Sequence, residues 1–181
     1  MLTVRRYTAA DQDSVRELFV RVNHELAPPH LKEAFESYIE RSLVEEIERI
    51  PVYYGERGGS FWVAVPNPTL RGEREEGGVG DIFGVFGLER RDAATAELRR
   101  MYVDSRARRR GIGREMLGRA EDVARQDDCV RMVLSTSELQ QAAISLYRNS
   151  GYRIVREEIA VEQSNKALGG GIRRFYFEKY L

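Results

Sequence analysis

The sequence predicts one layered α/β (α+β) domain spanning residues 1–181, with a mixed central β-sheet flanked by helices. Two observations carry this. Seven short β-prone runs alternate with four stretches of helical periodicity, in the order β-α-α-β-β-β-α-β-α-β-β. The chain has 181 residues, of which 42% are hydrophobic and 32% charged. That suits a single domain with a real core and is too apolar for disorder.

Residues 2–7 are short and β-prone, with Leu2, Val4 and Arg6 on one face. Thr8, with Asp11 three residues on, is an N-cap signal. Val15, Leu18, Phe19, Val22 and Leu26 then fall on one helical stripe, which Pro28 and Pro29 end. A second helix is expected over 30–50, with Leu31, Ala34, Phe35, Tyr38, Ile39, Leu43, Ile47 and Ile50 as its stripe and Pro51 closing it. Strands follow at 61–65 and 79–88. Between them 66–78 is polar and rich in turn residues, as a long loop is. The glycines of GVGDIFGVFG imply bends or close backbone approach. A strand at 96–103 leads through a basic loop into a helix at Gly111, with Ile112, Met116, Ala120, Val123 and Ala124 facing inward. Another strand covers 130–136. A short helix over 140–150 ends at Gly151, a good residue just past a helix end. Strands at 152–161 and 172–180, joined through Gly169, Gly170 and Gly171, complete the sheet.

The charge balance excludes several function classes. Lys plus Arg is 29 and Asp plus Glu is 29, so no general basic coat exists for wrapping nucleic acid. Only Lys32, Lys166 and Lys179 are lysines. The single cysteine, Cys129, permits neither an internal disulfide nor a cysteine-built zinc site, and no metal is expected. Only His24 and His30 supply imidazole. Residues 1–7 lack an apolar signal core, and no stretch approaches the roughly 18 apolar residues of a membrane span. A cytoplasmic protein with no membrane partner is the expectation.

The chemistry concentrates in 96–113, AELRRMYVDSRARRRGIG. The first N–H groups of a helix have no internal partner and sit at the positive end of its dipole. Gly111 and Gly113 let an anion approach that backbone, and Arg106, Arg108, Arg109, Arg110 and Arg114 surround it. These features make a phosphate or pyrophosphate cradle. A P-loop string is missing. The dinucleotide fingerprint fails because Met116 stands at its third glycine.

The pattern that fits is Arg/Gln-x-x-Gly-x-Gly/Ala, as Arg108, Gly111 and Gly113. Here the chain resembles the GCN5-related N-acetyltransferase (GNAT) superfamily, in which this loop and helix hold the pyrophosphate of acetyl-CoA. ELRRMYV at 97–103 resembles the family's fourth strand. AAISLYRNSGY at 142–152 resembles its last helix and the turn after it. The C-terminal half matches by motif and the N-terminal half by element order. Ser105 replaces a common proline, and Gln140 a common asparagine.

The resemblance implies transfer of acetyl from acetyl-CoA, a co-substrate, to a primary amine of a small molecule, amino acid or peptide. An alkyl amine has a pKa of about 10.4, so a proton must leave before or during attack. The oxyanion needs donors and the thiolate needs an acid. By resemblance, a backbone N–H around Val103 holds the oxyanion. The coenzyme runs along Met101, Tyr102 and Val103, over Arg108, Arg109, Arg110, Gly111, Ile112, Gly113 and Arg114, and past Gln140 and Ala143. Tyr147, at the tyrosine of the family's LY pair, is the general-acid candidate, against a plain packing role. Glu97 is the base candidate, against a pair with Arg99. Tyr102 lines the acceptor site or belongs to the core.

Three other readings remain at this point. One is a non-catalytic acyl-CoA-binding or interaction module on the same fold. Another, nucleic-acid binding by the arginine loop, lacks interleaved aromatics. A homodimer is compatible with everything above. The pattern FWVA, LRRMYVDSRARRRGIG and STSELQQAAISLY also resembles the cysteine-conjugate acetyltransferase branch, which usually carries a membrane hairpin. For the acceptor, Glu25, Glu33, Glu36 and Glu40 on the helices and Glu73, Glu75 and Glu76 in the loop favour a cationic amine.

Overall fold

A computed structural model describes residues 2–67 and 82–181. The helical stripe over Val15, Leu18, Phe19 and Val22 forms α1 (Gln12–Leu26), packed on the sheet by those buried side chains. At its entry the Asp11 carboxylate accepts from the Thr8 backbone N–H at 2.8 Å and the Thr8 hydroxyl at 3.0 Å.

The expected second helix is two helices. α2 (Lys32–Glu45) stops at Glu46, a tight turn covers Ile47–Arg49, and α3 (Ile50–Gly55) begins there. Pro51 therefore opens a helix and does not close one. Its fixed φ suits a first turn, where a missing N–H leaves nothing unpaired. The stripe continued past the break because the turn keeps Ile47 and Ile50 buried in the same core.

The strands are β1 (Leu2–Arg6), β2 (Ser60–Pro66), β3 (Gly84–Asp92), β4 (Thr95–Val103), β5 (Arg131–Ser137), β6 (Arg153–Ala160) and β7 (Ile172–Tyr180). The expected start of the third run at 79–81 lies outside the described residues. The sheet order is β1-β2-β3-β4-β5-β7-β6. Every neighbouring pair is antiparallel except β4 and β5. α4 (Ile112–Gln126) and α5 (Gln141–Asn149) cover one face through Met116, Leu117, Ala120, Ile144 and Tyr147, which pack with Phe177 of β7. α1 to α3 cover the other through Phe19, Ile39, Ile47 and Tyr54.

Close approach explains two of the glycines in β3. A Cβ on Gly84 would meet Met116 of α4, and one on Gly87 would overlap the Tyr54 ring of α3. Helices thus press on β3 from both faces. Among the described residues, no helix is long and apolar enough to cross a membrane.

Two irregularities position the site. The parallel β4–β5 pairing runs only from Thr95–Arg131 to Leu98–Leu134. Beyond Leu98 the strands diverge and leave a cleft. At the same point β4 carries a bulge, since Gly87 pairs with Arg99 but Val85 pairs with Tyr102. Arg100 sits there at φ 51°. One extra residue inverts the alternation of faces. Leu98 before the bulge and Met101 and Val103 after it face α4. Arg100 and Tyr102 turn toward α1 and α2.

Candidate active site

The basic loop is built from Asp104 outward. Its fully buried carboxylate accepts from the Arg106 backbone N–H at 2.9 Å, the Arg106 guanidinium at 2.7 Å and Arg21 of α1 at 2.6 Å. The Arg106 hydrogen bonds, opposed by burial and reinforced by Arg21, hold the Asp104 carboxyl down at about 2. Arg108 donates to the Val103 carbonyl and pairs with Glu25 of α1 at 3.1 Å.

Arg109 and Gly111 adopt left-handed backbone, with φ of 62° and 79°. This turns the chain so that α4 starts at Ile112. A Cβ on Gly111 would meet nothing, so the glycine faces open space. Ile112 itself is buried and anchors the helix end, while Gly113 abuts Leu146 and Val103. Arg109, Arg110 and Arg114 are exposed and form no ion pair among the described residues. An open helix N-terminus, flanked by Arg109, Arg110 and Arg114 and carrying one acidic residue, Glu115, in its first turn, fits a pyrophosphate.

This terminus lies at the end of β4, beside the cleft. The cleft wall includes Met101, Tyr102, Gln140, Ala143, Tyr147 and Glu97. Six of the sequence-predicted residues therefore share one cavity. The divergence leaves β4 after Leu98 without a partner on its β5 side. Unpaired strand edges accept an extended chain of alternating donors and acceptors, which the pantetheine arm of coenzyme A has. Gln140 heads α5 and its amide oxygen accepts from the Thr136 hydroxyl.

Tyr147 packs on Tyr152 and Phe177, with ring centroids 5.9 and 5.7 Å away. Burial pushes its phenol above the ordinary value. Its hydroxyl makes no hydrogen bond among the described residues, and the residue lines the cleft.

Glu97 does not pair with Arg99. It faces the cleft with Oε2 held by Lys166 at 3.1 Å and Arg91 at 3.3 Å. The correction follows from the charge network behind it, which sequence reading missed. Glu46, wholly buried at the end of α2, accepts from Arg99 and Arg100, each at 2.8 Å, and from the Tyr54 hydroxyl at 2.6 Å. Arg99 also donates to Glu89 and to Tyr53. Arg100 donates to the Tyr38 hydroxyl and the Asn165 carbonyl, each at 2.6 Å. Lys166 bridges Glu89 at 3.3 Å and Glu97. The signals were a glutamate on the apolar stripe of α2 and two consecutive arginines in an otherwise apolar strand.

The acidic acceptor side expected from the helices is not found. Glu25 pairs with Arg108 and accepts from Ser105, and Glu36 pairs with His24 at 3.0 Å. Neither these nor Glu33 and Glu40 line the cleft. Glu73, Glu75 and Glu76 lie outside the described residues. The charged groups that do line it are Glu97, Arg99, Arg100, Lys166 and Arg174.

Comparison with known proteins bears on the family and the fold. The model of the acetyltransferase (GNAT) family matches residues 19–152. The chain belongs to that family. It is 35% identical to N-acetylaspartate synthetase of Danio rerio over 123 residues, which are 67% of this chain and 39% of that protein. It is 28% identical to N-acetyltransferase 8 of Homo sapiens over 128 residues, 67% of this chain and 51% of that one. The chain thus spans about two fifths to one half of these curated relatives. A GNAT acetyltransferase of Staphylococcus aureus Mu50 superposes with a TM-score of 0.73 at 20% identity over 99% of both chains. A GNAT acetyltransferase of Elizabethkingia anophelis with acetyl-CoA bound superposes with a TM-score of 0.61 at 15% identity, over 99% of this chain and 98% of that one. At these identities the structural likeness speaks to the fold.

Proposed function

We propose that this GNAT chain transfers acetyl from acetyl-CoA to a primary amine of a small molecule, amino acid or peptide by direct attack. The observation that carries this is the divergence of β4 and β5 beside the glycine-opened, cationic start of α4. The loop residues Arg108 to Arg114 would hold the pyrophosphate. The edge of β4 at Met101 and Val103, with Gln140 and Ala143 opposite, would hold the arm. Acetyl-CoA supplies an activated thioester.

The chain's own groups then handle protons and charge. Glu97 keeps Oε1 clear of hydrogen bonds among the described residues. We assign that oxygen, directly or through water, to receive the proton of the acceptor ammonium. Nitrogen attacks the carbonyl carbon as its oxygen gains charge, and a backbone N–H near Val103 stabilises that charge. The carbon–sulfur bond breaks, sulfur takes the phenol proton of Tyr147, and the second proton shed by the attacking nitrogen as the amide forms passes through water to restore the phenol. Burial suits Tyr147 to this role, because it keeps the phenol protonated until a thiolate forms. A single cysteine and no possible internal disulfide favour the cytoplasm as the site of action.

The test has two readouts. Acetyl-CoA should raise the midpoint of thermal unfolding by mass action, and an amine panel should release free CoA thiol. Gly111→Asp, which sets a carboxylate against the pyrophosphate, should abolish most of the thermal shift. An undiminished shift in that variant would move the coenzyme elsewhere. A shift without thiol release from any amine would instead favour a non-catalytic acyl-CoA-binding module.

A further inference from the structure

Among the described residues, the charges lining the cleft and directly behind it balance, save one. Arg99, Arg100 and Lys166 are matched by Glu46, Glu89 and Glu97 in the network described above. Arg174 of β7 is left over. It is 9% exposed and lines the same cleft. Among the described residues its side chain makes one hydrogen bond, to a neutral group, the Ser135 hydroxyl, at 2.5 Å. No carboxylate lies within ion-pair distance of it among the described residues. Glu158, opposite it in the β6–β7 register, is turned to the Tyr176 hydroxyl and to Arg156 at 2.6 Å.

The residue is largely enclosed, but none of its guanidinium nitrogens is both buried and unsatisfied, so the donors that Ser135 does not take open onto the cleft as a cation without a counter-charge. The register tells where it points. Ser137 pairs with Arg174 and Ser135 with Tyr176, while the intervening Thr136–Phe175 and Leu134–Phe177 pairs belong to the α4 side. Arg174 therefore stands on the opposite side, shared with Arg100, Tyr38 and Lys166. The pyrophosphate loop is on another element, at the start of α4.

We propose that Arg174 is the anchor for a carboxylate of the acceptor, so that the preferred substrate is an amino-carboxylate. This rests on the acetyl-transfer reading and deepens it. A planar guanidinium takes a carboxylate in two parallel hydrogen bonds, which fixes orientation as well as charge. Glu97 in the same cleft would then face the amino end of the same molecule.

The experiment compares matched acceptors in which one carboxylate is replaced by a carboxamide: L-aspartate with L-asparagine, L-phenylalanine with L-phenylalanine amide, and β-alanine with its amide. The wild-type protein should favour the carboxylates in kcat/KM by about 10- to 100-fold, the range of one charge-assisted contact. Arg174→Gln should remove that preference, raising the acceptor KM for the acids and leaving the KM for acetyl-CoA unchanged. Arg174→Lys should restore part of it. Equal use of acids and amides by the wild type, or equal loss for both in Arg174→Gln, overturns the assignment. If no acceptor reacts, the transfer reading fails separately. Carboxylate binding is then read from thermal stabilisation of the CoA-loaded protein by the N-acetylated acids against the N-acetylated amides. Absence of an Arg174-dependent difference there overturns the proposal on its own.

Discussion

Replacing Glu46 by Gln should destabilise this protein more than any single change on its surface. The two side chains have nearly the same volume, so packing is kept and a charge is lost. Among the described residues Glu46 is the only carboxylate on Arg100, and it shares Arg99 with Glu89. In the variant Arg100 keeps the Tyr38 hydroxyl and the Asn165 carbonyl but has no counter-charge. Breaking one side of a buried ion pair costs about 3–5 kcal/mol. For a chain of this size each kcal/mol is worth about 2–4 °C, so the midpoint should fall by about 6–20 °C. Glu45→Gln is the control. Its pair with Arg41, at 3.9 Å, is half-exposed, and such a pair contributes about 0.5 kcal/mol or less.

The pH dependence of that loss adds a second check. Burial alone would raise the Glu46 carboxyl, but the charges of Arg100 and then Arg99 outweigh it and hold it below its ordinary value. A carboxyl lowered by folding contributes stability above its unfolded pKa, and that contribution is lost as pH falls through the folded value. The gap between wild type and Glu46→Gln should therefore be full at neutral pH and narrow in acid. Urea unfolding at several pH values measures it. A variant within about 1 kcal/mol of wild type at pH 7, or a gap that widens in acid, would refute the account of this network.

Tyr147→Phe should lower kcat by about 10- to 100-fold, the low end for an acid–base group because a thiolate leaves readily. Stability should change little, since the lost hydroxyl has no hydrogen bond among the described residues; wild-type turnover, with chemistry rate-limiting, would return Tyr147 to a packing role. Glu97→Gln should reduce kcat by about 100-fold while leaving the thermal shift with acetyl-CoA intact, and a loss confined to that shift would remove Glu97 from the chemistry. Asp104→Asn should loosen the basic loop. With the carboxyl held at about 2, its contribution is present above the ordinary value of 3.8 and is lost as pH falls toward the folded one. It amounts to at most about 2 kcal/mol, less where exposed Arg106 is screened by solvent. A denaturation series across pH 2–5 on both proteins should show their curves converging in acid.

Much of this molecule follows from local patterns. The stripe of α1, the strand runs and the glycine and arginine spacing at 108–113 are short-range features. Periodicity and backbone freedom decide these within a few residues, so α4 starts where Gly111 indicated. The glycines and arginines of the proposed cradle are local features of the same kind, whereas the assignment of Tyr147 as acid rests on the family resemblance and is part of the proposal. Pro51 was misread because a proline between two helical stripes can end one helix or begin the next. The choice depends on whether Glu46 is drawn into the core. The partners of Glu97, the convergence of Arg99 and Arg100 on Glu46, and the isolation of Arg174 join residues 69, 53, 54 and 39 positions apart. No local pattern specifies such pairs. A bulge in β4 turned two adjacent arginines to one side, and although the β6–β7 register sets Glu158 opposite Arg174, Glu158 is held by Tyr176 and Arg156 while Arg174 reaches the Ser135 hydroxyl. The amino-acid sequence by itself marked the place we propose for the coenzyme, because a helix terminus and two glycines are local features. The charge that meets the acceptor was decided by tertiary structure, because a buried cation is free or paired only according to what folds against it.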